Sequence, residues 1–174
     1  LPTLARVLLL LTSATLSSFA LTIQVSRVLD GKGGVLANVR LTVEGTKMVR
    51  VEPRSSGPAD FNLGDITLMP GWIDTHDHIV WHFNKEDRAD TSKESPTEFA
   101  LNASGNAYAT LMAGFTTIQS LGAPVDADLR DAIARNIIPG PRIITSLQPL
   151  TESSGTPDQI RTLVRKRVEQ GADV

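Results

Sequence analysis

Cysteine is absent from all 174 residues. That excludes disulfides, thiolate metal sites and thiol catalysis, and leaves nitrogen and oxygen as the ligands for any metal. Aromatic residues make up 5% of the chain, too few for the stacked platforms on which single-stranded bases rest. Neither charge dominates: 17 Lys and Arg against 19 Asp and Glu give a formal net charge of −2. The chain therefore carries no electrostatic footprint for nucleic acid or an anionic membrane surface. No apolar run approaches the roughly 20 residues of a bilayer span. Histidine is scarce as well, and its placement is uneven. The three histidines, His76, His78 and His82, all lie in PGWIDTHDHIVWHF, residues 70–83. At 41% hydrophobic and 21% charged, the rest has the apolar mass of a globular core.

The segment LPTLARVLLLLTSATLSSFA reads as an export signal. It has one positive charge at Arg6, an apolar stretch from Val7 to Leu11, and a small-residue exit at Ser18-Phe19-Ala20. A buried N-terminal helix is the other reading. Export predicts a mature chain from about Leu21 and a periplasmic or secreted location.

From Leu21 to Met69 the pattern is β. LTIQVSRVL alternates, DGKGG supplies a turn, and NVRLTVEG and TKMVRVEP follow with Glu44-Gly45 as the hairpin turn. FNLGDITLMP is expected as one last strand. From Gly71 the grammar alternates between strand and helix. WIDTHDHIV is a strand, followed by a polar loop from His82 to Glu94. Ser95-Pro96-Thr97-Glu98 is a capping box opening a helix with apolar Leu101, Tyr108, Leu111 and Met112, which stops at Gly114. FTTIQSL is a second strand, and a helix from about Asp126 to Asn136 carries Leu129 and Ile133. RIITSL is a third strand. Thr156-Pro157-Asp158-Gln159 caps another helix ending at Gly171, and Ala172-Asp173-Val174 looks like the start of a fourth strand. This order implies a parallel sheet with right-handed crossovers, either open and doubly wound or the first part of an eight-stranded barrel.

In a strand, residues two apart share a face, so His76 and His78 are expected to project together, with Asp77 opposite. Two imidazoles about 7 Å apart along a strand can tilt toward one metal ion. They sit at the C-terminal end of the first parallel strand, where α/β barrels build their active sites. A bare His-x-His also occurs on solvent-facing strands without any metal.

In this context MPGWIDTHDH resembles the first barrel strand of the amidohydrolase superfamily, whose pattern is M-P-G-x-I-D-x-H-x-H after a small β module. AGFTTIQSLG and DLRDAIARNIIPGPRII are similar to the next two units of its imidazolonepropionase-like and prolidase-like branch. The resemblance runs from about Leu21 to the end. It implies an α/β protein: a small N-terminal β-sandwich module, residues 21–70, after a signal peptide at 1–20. Residues 71–174 would be about three β/α units of a TIM-like (β/α)8 barrel, truncated.

The resemblance also implies that His76 and His78 bind a divalent metal, zinc foremost, with one or two ions in the full enzyme. Asp74 matches the family's aspartate and is either an imidazole-orienting partner or an ordinary strand-end carboxylate. Trp81 and His82 are placed to line a substrate pocket, and His82 is otherwise read as a solvated loop histidine. Gln119 stands where this branch has arginine and Ser120 where it has aspartate, which puts the substrate analogy in doubt. The carboxylated lysine, later histidines and proton-shuttling aspartate of the family are expected beyond Val174. On that reading this is the N-terminal portion of a hydrolase of amide, cyclic amide or peptide-like bonds, inactive by itself. An exported, non-catalytic metal- or solute-binding α/β protein is the alternative, and a purely structural module is a third.

Overall fold

The computed structural model describes residues 20–84, 86–89 and 93–174. The export signal expected at 1–20 lies outside the described residues but for Ala20. The chain is a mixed α/β protein that divides into two compact units between Pro70 and Gly71.

In the first unit β1 (Ala20–Leu29) and β2 (Val35–Glu44) pair antiparallel over their whole length. The Asp30 side chain makes the turn between them, its Oδ1 accepting the N–H groups of Lys32 and Gly34, both at 2.8 Å. β3 (Lys47–Glu52) joins β2 through the turn at Gly45, which has φ of 59°. β4 (Phe61–Asn62) and β5 (Thr67–Leu68) run parallel to β1 along its other edge. Val25, Val28, Val39 and Leu41 form the core. The buried position shifts from odd to even between Val25 and Val28, next to Asn38, whose φ of 50° interrupts the facing strand. Two expectations change here. The described residues of this unit form one five-stranded sheet, not two sheets packed as a sandwich. FNLGDITLMP also divides into two strands, because Asn62 Oδ1 accepts the N–H of Gly64 at 3.0 Å and Gly64 turns the chain at φ 64°.

In the second unit β6 (Trp72–Asp77), β7 (Phe115–Ser120) and β8 (Arg142–Thr145) form a parallel sheet in that order. The order runs in one direction, without the reversal of a doubly wound sheet. α1 (Pro96–Met112) and α2 (Val125–Ala134) are the crossovers, and α3 (Pro157–Glu169) follows β8. Ser95 Oγ accepts the Glu98 N–H at 3.2 Å, with Pro96 in the first turn. The reciprocal capping box expected at Ser95 is not completed, whereas the one at Thr156 and Gln159 is, as is another at Thr151 and Ser154. Gly114 ends the α1 segment at φ 98° and Asn136 the α2 segment at φ 55°, left-handed positions that suit these two residues.

Ile118 and Ile143 of the sheet pack in one core with Ala103 and Ala107 of α1, Leu129 of α2, and Ile79 and Val80. The small alanines let α1 lie close on the strands. Hence the apolar face expected for α1 is not the buried one: Leu101, Tyr108 and Met112 are exposed. Gly71 is where β6 and β7 begin side by side, and a Cβ there would meet Thr116 Cγ2 at 2.1 Å. That contact explains glycine after Pro70. Residues 172–174 form no strand. A single backbone bond, Asp173 N–H to Thr145 O at 2.8 Å, does not make a ladder.

Candidate metal centre

The end of β6 is not a plain strand. Asp74 lies opposite Ile118 and Asp77 opposite Ser120, so three steps on β6 face two on β7. This is a bulge, which re-aims side chains where it occurs. Asp74 holds it, its Oδ1 accepting the backbone N–H of His76 at 2.9 Å. Asp74 therefore serves the backbone of a histidine rather than its ring. The extra residue puts Asp74 and Asp77 on one wall, beside Ala109 and Thr110 of α1 and the Ala113 that follows it. Burial raises the Asp77 carboxyl above the ordinary carboxylate value, against the lowering effect of the His78 N–H, and the nearby Asp74 and Asp126 charges add to the rise.

His76 and His78 are left side by side, with ring centroids 5.6 Å apart at 69°. His76 is exposed and His78 half-buried. None of their ring nitrogens hydrogen-bonds to a described residue. Trp81 stacks flat on the His78 ring, with centroids at 4.0 Å and planes 8° apart. The Trp81 N–H donates to His78 O at 2.8 Å, closing a turn. Asn106 of α1 holds that turn from below, donating to Ile79 O at 2.8 Å and Trp81 O at 2.9 Å. Buried Ile79 and Val80 anchor it in the core. Among the described residues, no three His, Asp or Glu side chains gather closely enough to hold a metal ion. Ser120 is fully buried and looks toward the helices, whereas Gln119, next along the strand, faces the other way.

His82 departs from the reading of a solvated loop histidine. Its side chain is 11% exposed. Nδ1–H donates to Val80 O at 2.8 Å, and Nε2 lies 2.8 and 3.0 Å from the two oxygens of Glu94. Asn102 Nδ2 lies 2.9 Å from the same nitrogen, where it donates to the neutral ring and yields to Glu94 when the ring is protonated. The Val80 carbonyl, then the Glu94 carboxylate, raise the His82 pKa above 6.5, against the effect of burial. Protonated His82 thus closes the loop on Glu94. Because the folded pKa is the higher one, the stability contributed by this pair is full below about 6.5 and is lost as pH rises through the folded value. NMR titration of the His82 ring should give a midpoint above 6.5 that falls in Glu94→Gln; an equal midpoint in both proteins would remove the ion pair's role. Glu94, Asn102 and Asn106 were not among the residues singled out from sequence. The spacing of four between the two asparagines on one helix is the signal that would have found them.

The two imidazoles lie at the C-terminal end of the first strand of a parallel α/β sheet, the end at which such sheets build their sites. Residues 67–174, more than half of the chain, match the amidohydrolase family, and the chain belongs to that family. An imidazolonepropionase from Arthrobacter sp. (strain FB24) is 31% identical over 55 residues, which are 30% of this chain and 14% of that protein. Among solved structures, a Xaa-Pro dipeptidase with methionine bound in its active site superposes with a TM-score of 0.73 at 23% identity, over 89% of this chain and 46% of that one. A putative prolidase from Bifidobacterium longum gives 0.65 at 26%, over 89% and 39%. The A. niger ochratoxinase gives 0.67 at 18%, over 88% and 45%. The chain spans less than half the length of each. No helix among the described residues is long and apolar enough to cross a membrane.

Proposed function

We propose that the protein is a metal-dependent hydrolase of carbon–nitrogen bonds in which His76 and His78 hold a divalent ion, zinc foremost. The observation that carries this reading is the pair of adjacent imidazoles with unengaged nitrogens, in a chain of the amidohydrolase family. The donor set fits such an ion in kind, because neutral imidazole is a common zinc ligand. It supplies two of the three protein ligands that a catalytic ion usually takes. The remaining ligands and the proton-shuttling carboxylate are assigned to later units of the family's barrel, with residues 71–174 as its first three β/α units.

A divalent ion held by His76 and His78 would lower the pKa of a water toward 7 and would itself polarise the substrate carbonyl. Each residue of this chain then has a definite task. His76 and His78 act as neutral ligands, Asp74 fixes the bulge that aims His76, and Trp81 sets the plane of the His78 ring by stacking. The substrate is a small amide, cyclic amide or peptide-like molecule, and neither nucleic acid nor a membrane span has a part. Residues 1–20 are read as a signal peptide, which places the enzyme in the periplasm or outside the cell.

The test uses the protein with its complete barrel, against dipeptides, cyclic amides and N-acyl amino acids. Hydrolysis should disappear on dialysis against a chelator and return with zinc. Hydrolysis that survives complete metal removal would end the proposal.

A further inference from the structure

Val80, Trp81, His82 and Ala89 after β6, Phe99 of α1, and Gly122 and Ala123 after β7 line a half-open cavity of about 380 Å3. That volume lies at the small end of ligand pockets, which span about 300–1,000 Å3. Trp81 connects it to the candidate centre, because this ring both stacks on His78 and forms part of the cavity wall. The walls are mostly carbon. His82 is the titratable side chain on the wall, yet both its ring nitrogens are occupied by Val80 O, Glu94 and Asn102. It therefore presents a ring rather than a free nitrogen, with Phe99 beside it at 6.1 Å.

The opposite wall is fixed before any ligand arrives. Fully buried Asp126 accepts the Ala123 N–H at 3.3 Å and the Thr145 hydroxyl at 2.9 Å. Gly122 crosses this carboxylate so closely that a Cβ would lie 2.5 Å from Asp126 Oδ2. Among the described residues that line it, none offers a charge with a free hydrogen-bonding atom, so this preformed cavity selects apolar groups and penalises charged ones.

We propose that this cavity receives an apolar side group of the substrate, aromatic or branched aliphatic, while the scissile amide lies at His76 and His78. The inference rests on the hydrolase reading and adds the substrate's chemical class.

The 174-residue chain carrying Trp72→Phe retains Trp81 as its one tryptophan. Titration with N-acetylphenylalaninamide should change Trp81 fluorescence saturably, with affinity at least about tenfold above that for N-acetylaspartate. Ala123→Leu, which fills the cavity, should weaken the apolar probe by at least about tenfold. Equal affinity for the two probes, no saturable change, or unchanged affinity in Ala123→Leu would overturn the inference. If Ala123→Leu loses its cooperative melting transition, Trp81→Ala at an exposed position takes its place, with probe binding followed by NMR. The same weakening is expected there, and unchanged affinity overturns the inference equally. Zinc titration of the same proteins separates the two readings. Loss of selective probe binding with an intact zinc response at His76 and His78 overturns the substrate class alone, whereas hydrolysis that survives complete metal removal in the protein with its complete barrel overturns the hydrolase reading and this inference with it.

Discussion

In the protein with its complete barrel, His76→Ala and His78→Ala should each lower kcat/KM by about 10³-fold or more, at least about 4 kcal/mol of transition-state stabilisation. A catalytic ion with three protein ligands loses one of them in either variant, and alanine offers no donor in its place. The loss should appear in kcat and follow the metal content. The two variants should also differ in cause. His76 is exposed and its backbone is set by Asp74. Its loss removes a ligand and little packing. His78 also carries the Trp81 stack, so His78→Ala should free the indole and change its fluorescence as well. Wild-type turnover in either variant would contradict the ligand assignment.

Ile118→Ala should destabilise the second unit by about 2–5 kcal/mol, the range for an isoleucine removed from a packed core. Ile118 has 0% exposure, lies on the middle strand of the parallel sheet, and shares its core with Ala103, Ala107, Leu129 and Ile143. The alanines of α1 have no side chain with which to fill the vacancy, so the site collapses poorly. Leu101→Ala removes a side chain that is 67% exposed and should stay within about 0.5 kcal/mol. The comparison is informative because helical periodicity alone ranks Leu101 as core. In urea, Ile118→Ala should lower the midpoint while the slope is kept. Equal midpoints for the two variants would mean that α1 packs by its large residues after all.

Local signals carried much of this architecture. Ser95-Pro96, Thr156-Gln159, Gly114 and Asn136 mark helix ends through bonds and dihedral angles that adjoining residues decide, and they were legible. The β/α order followed from the change of period at Gly71, and the order implied parallel pairing. What failed depended on partners far along the chain. The bulge at the end of β6 comes from register against β7, about forty residues on, so strict alternation could not show Asp74 turning to the α1 side with Asp77. His82 looked solvated because Glu94 meets it across a loop and Asn102 from a helix. The buried face of α1 was misjudged because close approach to the sheet favours Ala103 and Ala107 over larger neighbours. The adjacency of His76 and His78 needed only their spacing, and it survives the bulge because the extra residue lies before His78.

The central claim is that these two histidines, and not the third, are metal ligands. With three histidines in the chain, NMR of the imidazole nitrogens during a zinc titration tests it directly. The account predicts that the His76 and His78 signals move together to a common end point. The His82 signals, held by Val80, Glu94 and Asn102, should stay in place. Static His76 and His78 signals at saturating zinc, or a His82 shift of equal size, would contradict it.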